Sequence, residues 1–300
     1  MTRSESPIHP LALPAIAVAA ALWATGAIVA HNLFEQGVTP LELVAARAVI
    51  TAGGFALLPR AWRTDGASTG RGDLLLLGGA IALVNATYYV SIERLPVAIA
   101  IVLQYTGPAF VVAWATVRLR RRPGPAVTAA LAVALTGVVL VTEAPGENVG
   151  GLDPLGVAMG FGAAVSFATY TLASERVRRS FGPEATLLRG FAIASLVWLS
   201  ALLPLGWPDA LFAAGHVVPV LYVGIGATLV PFLLYVWAID HVRAERAAIA
   251  ATLEPVLAAL AAWAWLNQGL SLLQVVGGAL VVCAVLALQL SSPAALKLES

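Results

Sequence analysis

Apolar residues run along this chain in long windows separated by short polar stretches rich in Pro, Gly and charge. A helix needs roughly 20 mostly apolar residues to cross about 30 Å of hydrocarbon. Ten windows meet that length, at about residues 11–30, 41–59, 74–92, 96–117, 125–142, 154–174, 184–204, 217–239, 246–266 and 271–290. They occupy roughly two-thirds of the chain and leave no loop long enough for a soluble domain. The first window follows one basic residue, Arg3, and lacks a small-residue cleavage site, so it reads as the first span and not as a removable signal. The pattern predicts an all-α polytopic membrane protein with ten transmembrane helices.

Composition agrees. Of 300 residues, 60% are hydrophobic and 11% charged, with a mean hydropathy of +0.88; soluble domains run at roughly 45–50% apolar and about 25% charged. A net charge of +1 gives no electrostatic reason to expect nucleic acid as a partner. The single cysteine, Cys283, excludes an intrachain disulfide and a cysteine cluster. Four scattered histidines argue against a metal site, and no cofactor is expected. Membrane lipid and a small-molecule substrate are the expected partners, and a monomer is compatible with this plan.

The basic residues give an orientation. Placing the N-terminus inside puts Arg3, Arg60, Arg63, Arg71, Arg118, Arg120, Arg121, Arg122, Arg176, Arg178, Arg179, Arg243, Arg246 and Lys297 on the cytoplasmic side. Only Arg94 falls in an outer loop, while Arg47 and Arg189 fall inside spans. Short cytoplasmic loops retain Lys and Arg during insertion, so both termini are predicted to be cytoplasmic in a bacterial-type inner membrane.

The second half echoes the first. An offset of 147 aligns Tyr88 with Tyr235, Ile92 with Ile239, Ala100 with Ala247 and Pro108 with Pro255. Trp23-Ala24-Thr25 matches Phe167-Ala168-Thr169 upstream, and Gly137 matches Gly278 downstream. A repeat of five spans must insert its two copies in opposite orientations, which is an inverted repeat. The predicted plan is a tail at 1–10, a first repeat at 11–142, an outer linker at 143–153, a second repeat at 154–290 and a tail at 291–300. Inverted halves around a central cavity can open a shared site to each side in turn. That symmetry suits a carrier.

Asn85-Ala86-Thr87-Tyr88-Tyr89, Leu103-Gln104-Tyr105-Thr106-Gly107-Pro108-Ala109-Phe110 and Gly137-Val138-Val139-Leu140 resemble the EamA repeat of the drug/metabolite transporter superfamily. Thr252-Leu253-Glu254-Pro255-Val256-Leu257-Ala258-Ala259-Leu260 and Leu272-Leu273-Gln274-Val275-Val276-Gly277-Gly278-Ala279-Leu280 resemble it more closely. The pattern departs at Asn267-Gln268, where the family usually has Gly-Glu, so no role for that acid carries over. The resemblance implies ten helices in two inverted repeats around a central cavity, and transport of amino acids, purines, amphipathic toxins or sugar nucleotides. Within the superfamily the chain looks most like the aromatic amino-acid exporter branch, the YddG-like proteins.

Polar and aromatic positions inside the windows are the candidate substrate site. Glu254 is the acidic residue nearest the middle of a span, where a carboxylate costs several kcal/mol unless protonated, hydrated or paired. It can meet a substrate amine or carry a proton; it can also hold backbone freed by Pro255, and its recurrence in a family with varied substrates favours structure and shared mechanism. Pro108, Pro231 and Pro255 lack the N–H that would reach Gln104, Ala227 and Ala251, so each predicts a kink or gate beside hydrated backbone. Asn85, Tyr88 and Tyr89 share a face at i, i+3 and i+4, as do Phe167, Tyr170, Thr171 and Ser174. With Trp23, Gln104, Tyr105, Tyr235, Trp237 and Trp263 they predict an aromatic and polar cage, against the plain alternative of interhelix packing. Trp62, Trp207 and Trp265 fit the water–lipid boundary, and Arg47 and Arg189 are expected to snorkel or cap a neighbouring helix.

The leading function is a secondary exporter of small amphipathic metabolites, most of all amino acids including aromatic ones, by alternating access. Export of drugs or purines is the alternative within the superfamily. A membrane-embedded enzyme would need a catalytic dyad that the spans lack, and a channel would need a charged ring or filter loop. No Gly-x-x-x-x-Gly-Lys-Ser/Thr run is present to take ATP.

Overall fold

A computed structural model describes residues 9–290 except 64–69, 96, 119, 121–122, 144–151, 203, 205, 207 and 267–268. Residues 144–151 of the predicted linker (143–153), residues 1–8 of the predicted N-terminal tail (1–10), the tail at 291–300, Trp207 and Asn267-Gln268 lie outside the described residues. Every regular element among the described residues is helical. The first half holds α1 (Ala12–Glu35), α2 (Pro40–Ala56), α3 (Arg71–Arg94), α4 (Val97–Gln104), α5 (Gly107–Val117) and α6 (Pro125–Val141). The second holds α7 (Pro154–Val177), α8 (Pro183–Leu202), α9 (Val217–Leu221), α10 (Val230–Val242), α11 (Ala244–Ala250), α12 (Leu253–Leu266) and α13 (Leu272–Leu290). Among the described residues, six segments are long and apolar enough to cross a membrane: Ala12–Glu35, Arg71–Arg94, Ile99–Val117, Pro154–Val177, Pro183–Leu202 and Val217–Val242. The other windows hold the shorter α2, α6 and α13 and the broken pair α11–α12.

Local chemistry sets the helix ends. Thr39 and Glu42 form a capping box on α2: Thr39 Oγ1 accepts the Glu42 N–H at 3.3 Å, and Glu42 Oε2 accepts the Thr39 N–H at 2.9 Å. Thr39→Ala is expected to cost roughly 1 kcal/mol, visible as a small fall in the thermal midpoint of the purified protein with transport unchanged. Asp153 caps α7 through Gly156 N–H at 2.9 Å. That N–H, more than the nearby Arg94, holds the Asp153 carboxyl below the usual carboxylate range. Its contribution is therefore present above the ordinary carboxylate pKa and is lost as pH falls through the lowered one.

Four antiparallel pairs organise the bundle. α3 and α7 are pinned at opposite ends by Arg94–Asp153 at 3.2 Å and Arg176–Asp73 at 2.9 Å. They approach closely because Gly156 leaves room for Leu95 and Gly160 for Ser91, whose Oγ donates to the Gly156 carbonyl at 3.0 Å; Gly160 also admits Leu103 of α4. α6 crosses α13 at Gly137 and Gly277, with Ala130 and Ala134 packed near Ala284 and Leu288. α1 runs against α10 through Trp23, which meets Phe232 and Tyr235 edge-on. α2 packs on α8, where Phe55 stacks on Phe191. Large apolar side chains such as Leu57, Val117, Leu196, Val218 and Leu272 face outward, as expected where lipid is the solvent. The chain is an integral membrane protein.

Each proline predicted to kink a span lies beside an irregular stretch of helix. Between α4 and α5 the helix breaks at Tyr105-Thr106, where Thr106 Oγ1 donates to the Leu103 carbonyl at 2.6 Å. Between α11 and α12 it breaks at Ala251-Thr252, and the Ala251 carbonyl freed by Pro255 accepts the Glu254 N–H at 3.0 Å. Ahead of Pro231 the chain widens into a π-helix over Tyr222–Leu229. Side chains of α2 tend its loose backbone: Thr51 Oγ1 donates to the Gly224 carbonyl at 2.9 Å.

Candidate functional site

The three irregular segments meet α1, α2, α3 and α7 around a cavity of about 70 Å³ at the seam of the two halves. Its lining includes Trp23, Arg47, Asn85, Tyr88, Tyr89, Gln104, Tyr105, Pro108, Phe167, Tyr170, Phe232 and Glu254. Helix breaks bring these groups together: unpaired backbone survives in a membrane only where it faces protein or water.

Two charges define the cavity. Glu254, on the first turn of α12, accepts a hydrogen bond from Tyr105 Oη across the α4–α5 break at 2.6 Å. Arg47 on α2 is only 5% exposed. Its Nε donates to Thr228 Oγ1 at 2.8 Å, and its Nη1 donates to Asn85 Oδ1 at 3.0 Å and to Tyr89 Oη at 2.9 Å. Nη2 reaches the Ala227 carbonyl at 3.5 Å, the same carbonyl that Pro231 cannot serve. Arg47 and Glu254 act on each other electrostatically.

Polar groups in the lining also stand without protein partners among the described residues: Trp23 Nε1, Gln104 Oε1 and Tyr170 Oη. Each costs about 1–3 kcal/mol when buried unmet. One is a donor, one an acceptor and one can be either. Water or a polar guest is the remaining source of partners. At about 70 Å³ the cavity has room for a few waters.

The structure places the sequence candidates in four groups. Trp23, Asn85, Tyr88, Tyr89, Gln104, Tyr105, Tyr170, Glu254 and Pro108 line the cavity. Tyr235 is fully buried one layer behind it, stacked on Tyr170 at 5.9 Å with its hydroxyl 3.2 Å from Thr171 Oγ1. Pro231 and Pro255 sit at the irregular segments without forming the lining. Trp237 and Trp263 lie elsewhere and correct the predicted cage. Trp237 is about 140° around α10 from Phe232, at 100° per residue, and packs edge-on to His9 at 5.3 Å. Trp263 is two and a half turns beyond Glu254, hence on the opposite face of α12, and is 55% exposed.

Arg47 is the functional candidate that the sequence reading set aside. It and Arg189 occupy matching spans, yet only Arg47 turns inward. Arg189 donates to the Ala61 carbonyl at 3.2 Å and sits 4.1 Å from the Phe181 ring centre, as expected of a helix-tying residue. Its signal was an arginine with an asparagine and a tyrosine available on the next span. Phe167 and Phe232 also line the cavity.

A second cavity, about 780 Å³, lies where α2 begins and α3 and α8 end. Leu199, Leu202, Leu211, Phe212, Val217 and Leu221 make it largely apolar. Of its two carboxylates, Glu42 is occupied in the α2 cap and Glu93 stands among apolar neighbours with no lining cation beside it among the described residues. This cavity offers a polar guest little to bind, so the smaller cavity is the candidate site.

Comparisons with known proteins agree with this architecture. The threonine/homoserine exporter RhtA of Escherichia coli K12 is 30% identical over 282 residues, covering 92% of this chain and 88% of its own. RhtA of Salmonella typhimurium LT2 is 28% identical over the same length. An uncharacterized transporter of Archaeoglobus fulgidus is 29% identical over 237 residues, 78% of this chain and 82% of its own. A solved crystal structure, 22% identical, shares the fold with a TM-score of 0.72 over 96% of this chain and 99% of that one. The EamA-like transporter family matches residues 10–143 and again 154–289, nearly the whole chain in two copies, and this protein belongs to that family.

Proposed function

We propose that this protein is a secondary transporter that exports small amino acids, threonine and homoserine foremost, by alternating access of the central cavity. The observation that carries the reading is a cavity at the seam between the halves, holding a buried cation, a carboxylate and unpaired polar groups. The similarity to RhtA, named a threonine/homoserine exporter, supplies the substrate class. A small cavity suits a small side chain, and the unmet donor and acceptor of Trp23 and Gln104 suit a hydroxyl. Aromatic amino acids belong in the test panel as the competing class.

Ten spans in two inverted repeats account for the packing. Exchanging the halves turns the α3–α7 pair into the α10–α1 pair and maps α6–α13 and α2–α8 onto themselves. Antiparallel α3–α7, α6–α13 and α1–α10 are what such a topology requires, since an odd number of crossings separates each pair. Both termini then face the cytoplasm of a bacterial-type inner membrane. Two halves of opposite orientation can rock about the seam, with the breaks at Tyr105-Thr106 and Ala251-Thr252 absorbing the motion.

The test is counterflow of labelled threonine into liposomes carrying the purified protein. Unlabelled threonine or homoserine inside is expected to drive uptake, and phenylalanine is expected to compete weakly. Gln104→Ala should reduce the initial rate by roughly tenfold, the scale of one or two lost hydrogen bonds. Trp263→Ala should stay within about twofold of the parent, as expected for a surface site. Equal losses from both variants would remove the cavity from the mechanism.

A further inference from the structure

Arg47 poses an electrostatic problem that the protein alone does not solve. A buried guanidinium is tolerated when a carboxylate meets it. The acceptors of Arg47 are Thr228, Asn85, Tyr89 and the Ala227 carbonyl, all of them neutral. Elsewhere in the protein Arg94, Arg176, Arg178 and Arg179 each have a carboxylate in ion-pair range. Of the five N–H groups of Arg47, Nε and Nη1 use three well. Nη2 has only the 3.5 Å contact to Ala227, so this edge keeps donor capacity toward the cavity. Glu254 is the complement. Its Oε2 is held by Tyr105, and Oε1 has no protein donor among the described residues. Both side chains line the same small cavity, one from each half.

Resting on the amino-acid reading above, we propose that Arg47 and Glu254 are the two poles of a zwitterion site, Arg47 Nη2 taking the guest's carboxylate and Glu254 its ammonium. A guest with both charges leaves neither residue unpaired. One with a single charge strands the opposite residue in a water-poor site, which is how the cavity rejects simple amines and simple acids. Tyr89, Asn85 and Thr228 position the guanidinium, and Tyr105 positions the carboxylate.

The proposal is tested by competition against labelled threonine counterflow in liposomes, using threonine methyl ester, which lacks the carboxylate, and N-acetylthreonine, which lacks the ammonium. For the parent protein, each blocked analogue is expected to need at least about tenfold more for half-inhibition than threonine itself. Arg47→Gln should erase the discrimination against the methyl ester and keep that against the N-acetyl compound; Glu254→Gln should do the reverse. A merely structural Arg47 would lower the rate without changing this preference. Should Arg47→Gln fail to fold, the parent analogue series decides alone. Methyl ester inhibiting the parent as strongly as threonine overturns the two-pole site while leaving amino-acid transport standing. Absence of counterflow with every amino acid tested overturns the transport reading and the site with it.

Discussion

Glu254→Gln is expected to cut threonine counterflow by one to two orders of magnitude while leaving the fold intact. Glutamine is nearly isosteric and its side-chain oxygen can still accept from Tyr105 Oη, which now lies 2.6 Å from Glu254 Oε2. Packing around the α11–α12 break therefore survives. What disappears is the negative charge facing Arg47 across the cavity. A hydrogen bond to a charged group contributes about 1.5–3 kcal/mol, a factor of roughly 10 to 150. Tyr105→Phe keeps the charge and removes one donor, so its loss should be smaller. If Glu254 also carries the coupling proton, the parent rate will vary with pH and the glutamine variant will give a flat profile. Parent and variant transporting equally at every pH would remove Glu254 from both roles. The measurement is the initial counterflow rate, normalised to folded protein, between pH 5 and 8.

The largest effect on stability is expected at the crossing of α6 and α13. A Cβ on Gly137 would sit 2.7 Å from the Gly277 carbonyl oxygen and 2.7 Å from Val281 Cγ2. One on Gly277 would meet the Gly137 carbonyl oxygen at 2.7 Å and the Leu140 carbonyl carbon at 2.9 Å. The obstacle is backbone, which cannot rotate away as a side chain does, so the helices must separate. Gly277→Val is therefore expected to destabilise by about 3 kcal/mol or more, at or beyond the upper end for overpacked cores. The thermal midpoint in detergent, and the fraction eluting as a single species, should both fall. Two glycines serve as controls. Gly278→Ala meets only Val256 Cγ1 at 3.3 Å, and Gly79→Ala meets nothing within 4 Å. The second should be neutral or slightly stabilising, because alanine favours the helix by roughly 1 kcal/mol. A Gly277→Val protein as stable as the parent would mean that α6 and α13 do not touch there.

Particular residues show how far the sequence reached. Pro108, Pro231 and Pro255 each mark an irregular segment, because a missing N–H acts locally whatever surrounds it. The form of the irregularity was not legible: two are breaks, and the third is a π-helix whose carbonyls depend on Thr51 and Arg47 from another helix. Asn85, Tyr88 and Tyr89 share a face by spacing, and that face lines the cavity. Trp263 was grouped with the cage as an aromatic inside a span, but the half-turn separating it from Glu254 on α12 carries it outward. The match of Gly137 with Gly278 was one residue from the contact made in space, where Gly137 packs on Gly277.

The solvent, the family resemblance and the places where helices break were readable along the chain, because these depend on the length of apolar runs and on local backbone chemistry. Tertiary structure alone decided which side chains converge. Arg47 and Arg189 are equivalent in hydropathy and in place along their spans, yet one enters the cavity and the other ties α8 to the Ala61 carbonyl. The reason is geometric. A helix that is apolar on nearly every face carries no stripe to announce its inward side, so its rotation is set by where glycines let neighbours approach and by which partners Asn85, Tyr89 and Thr228 offer across the seam.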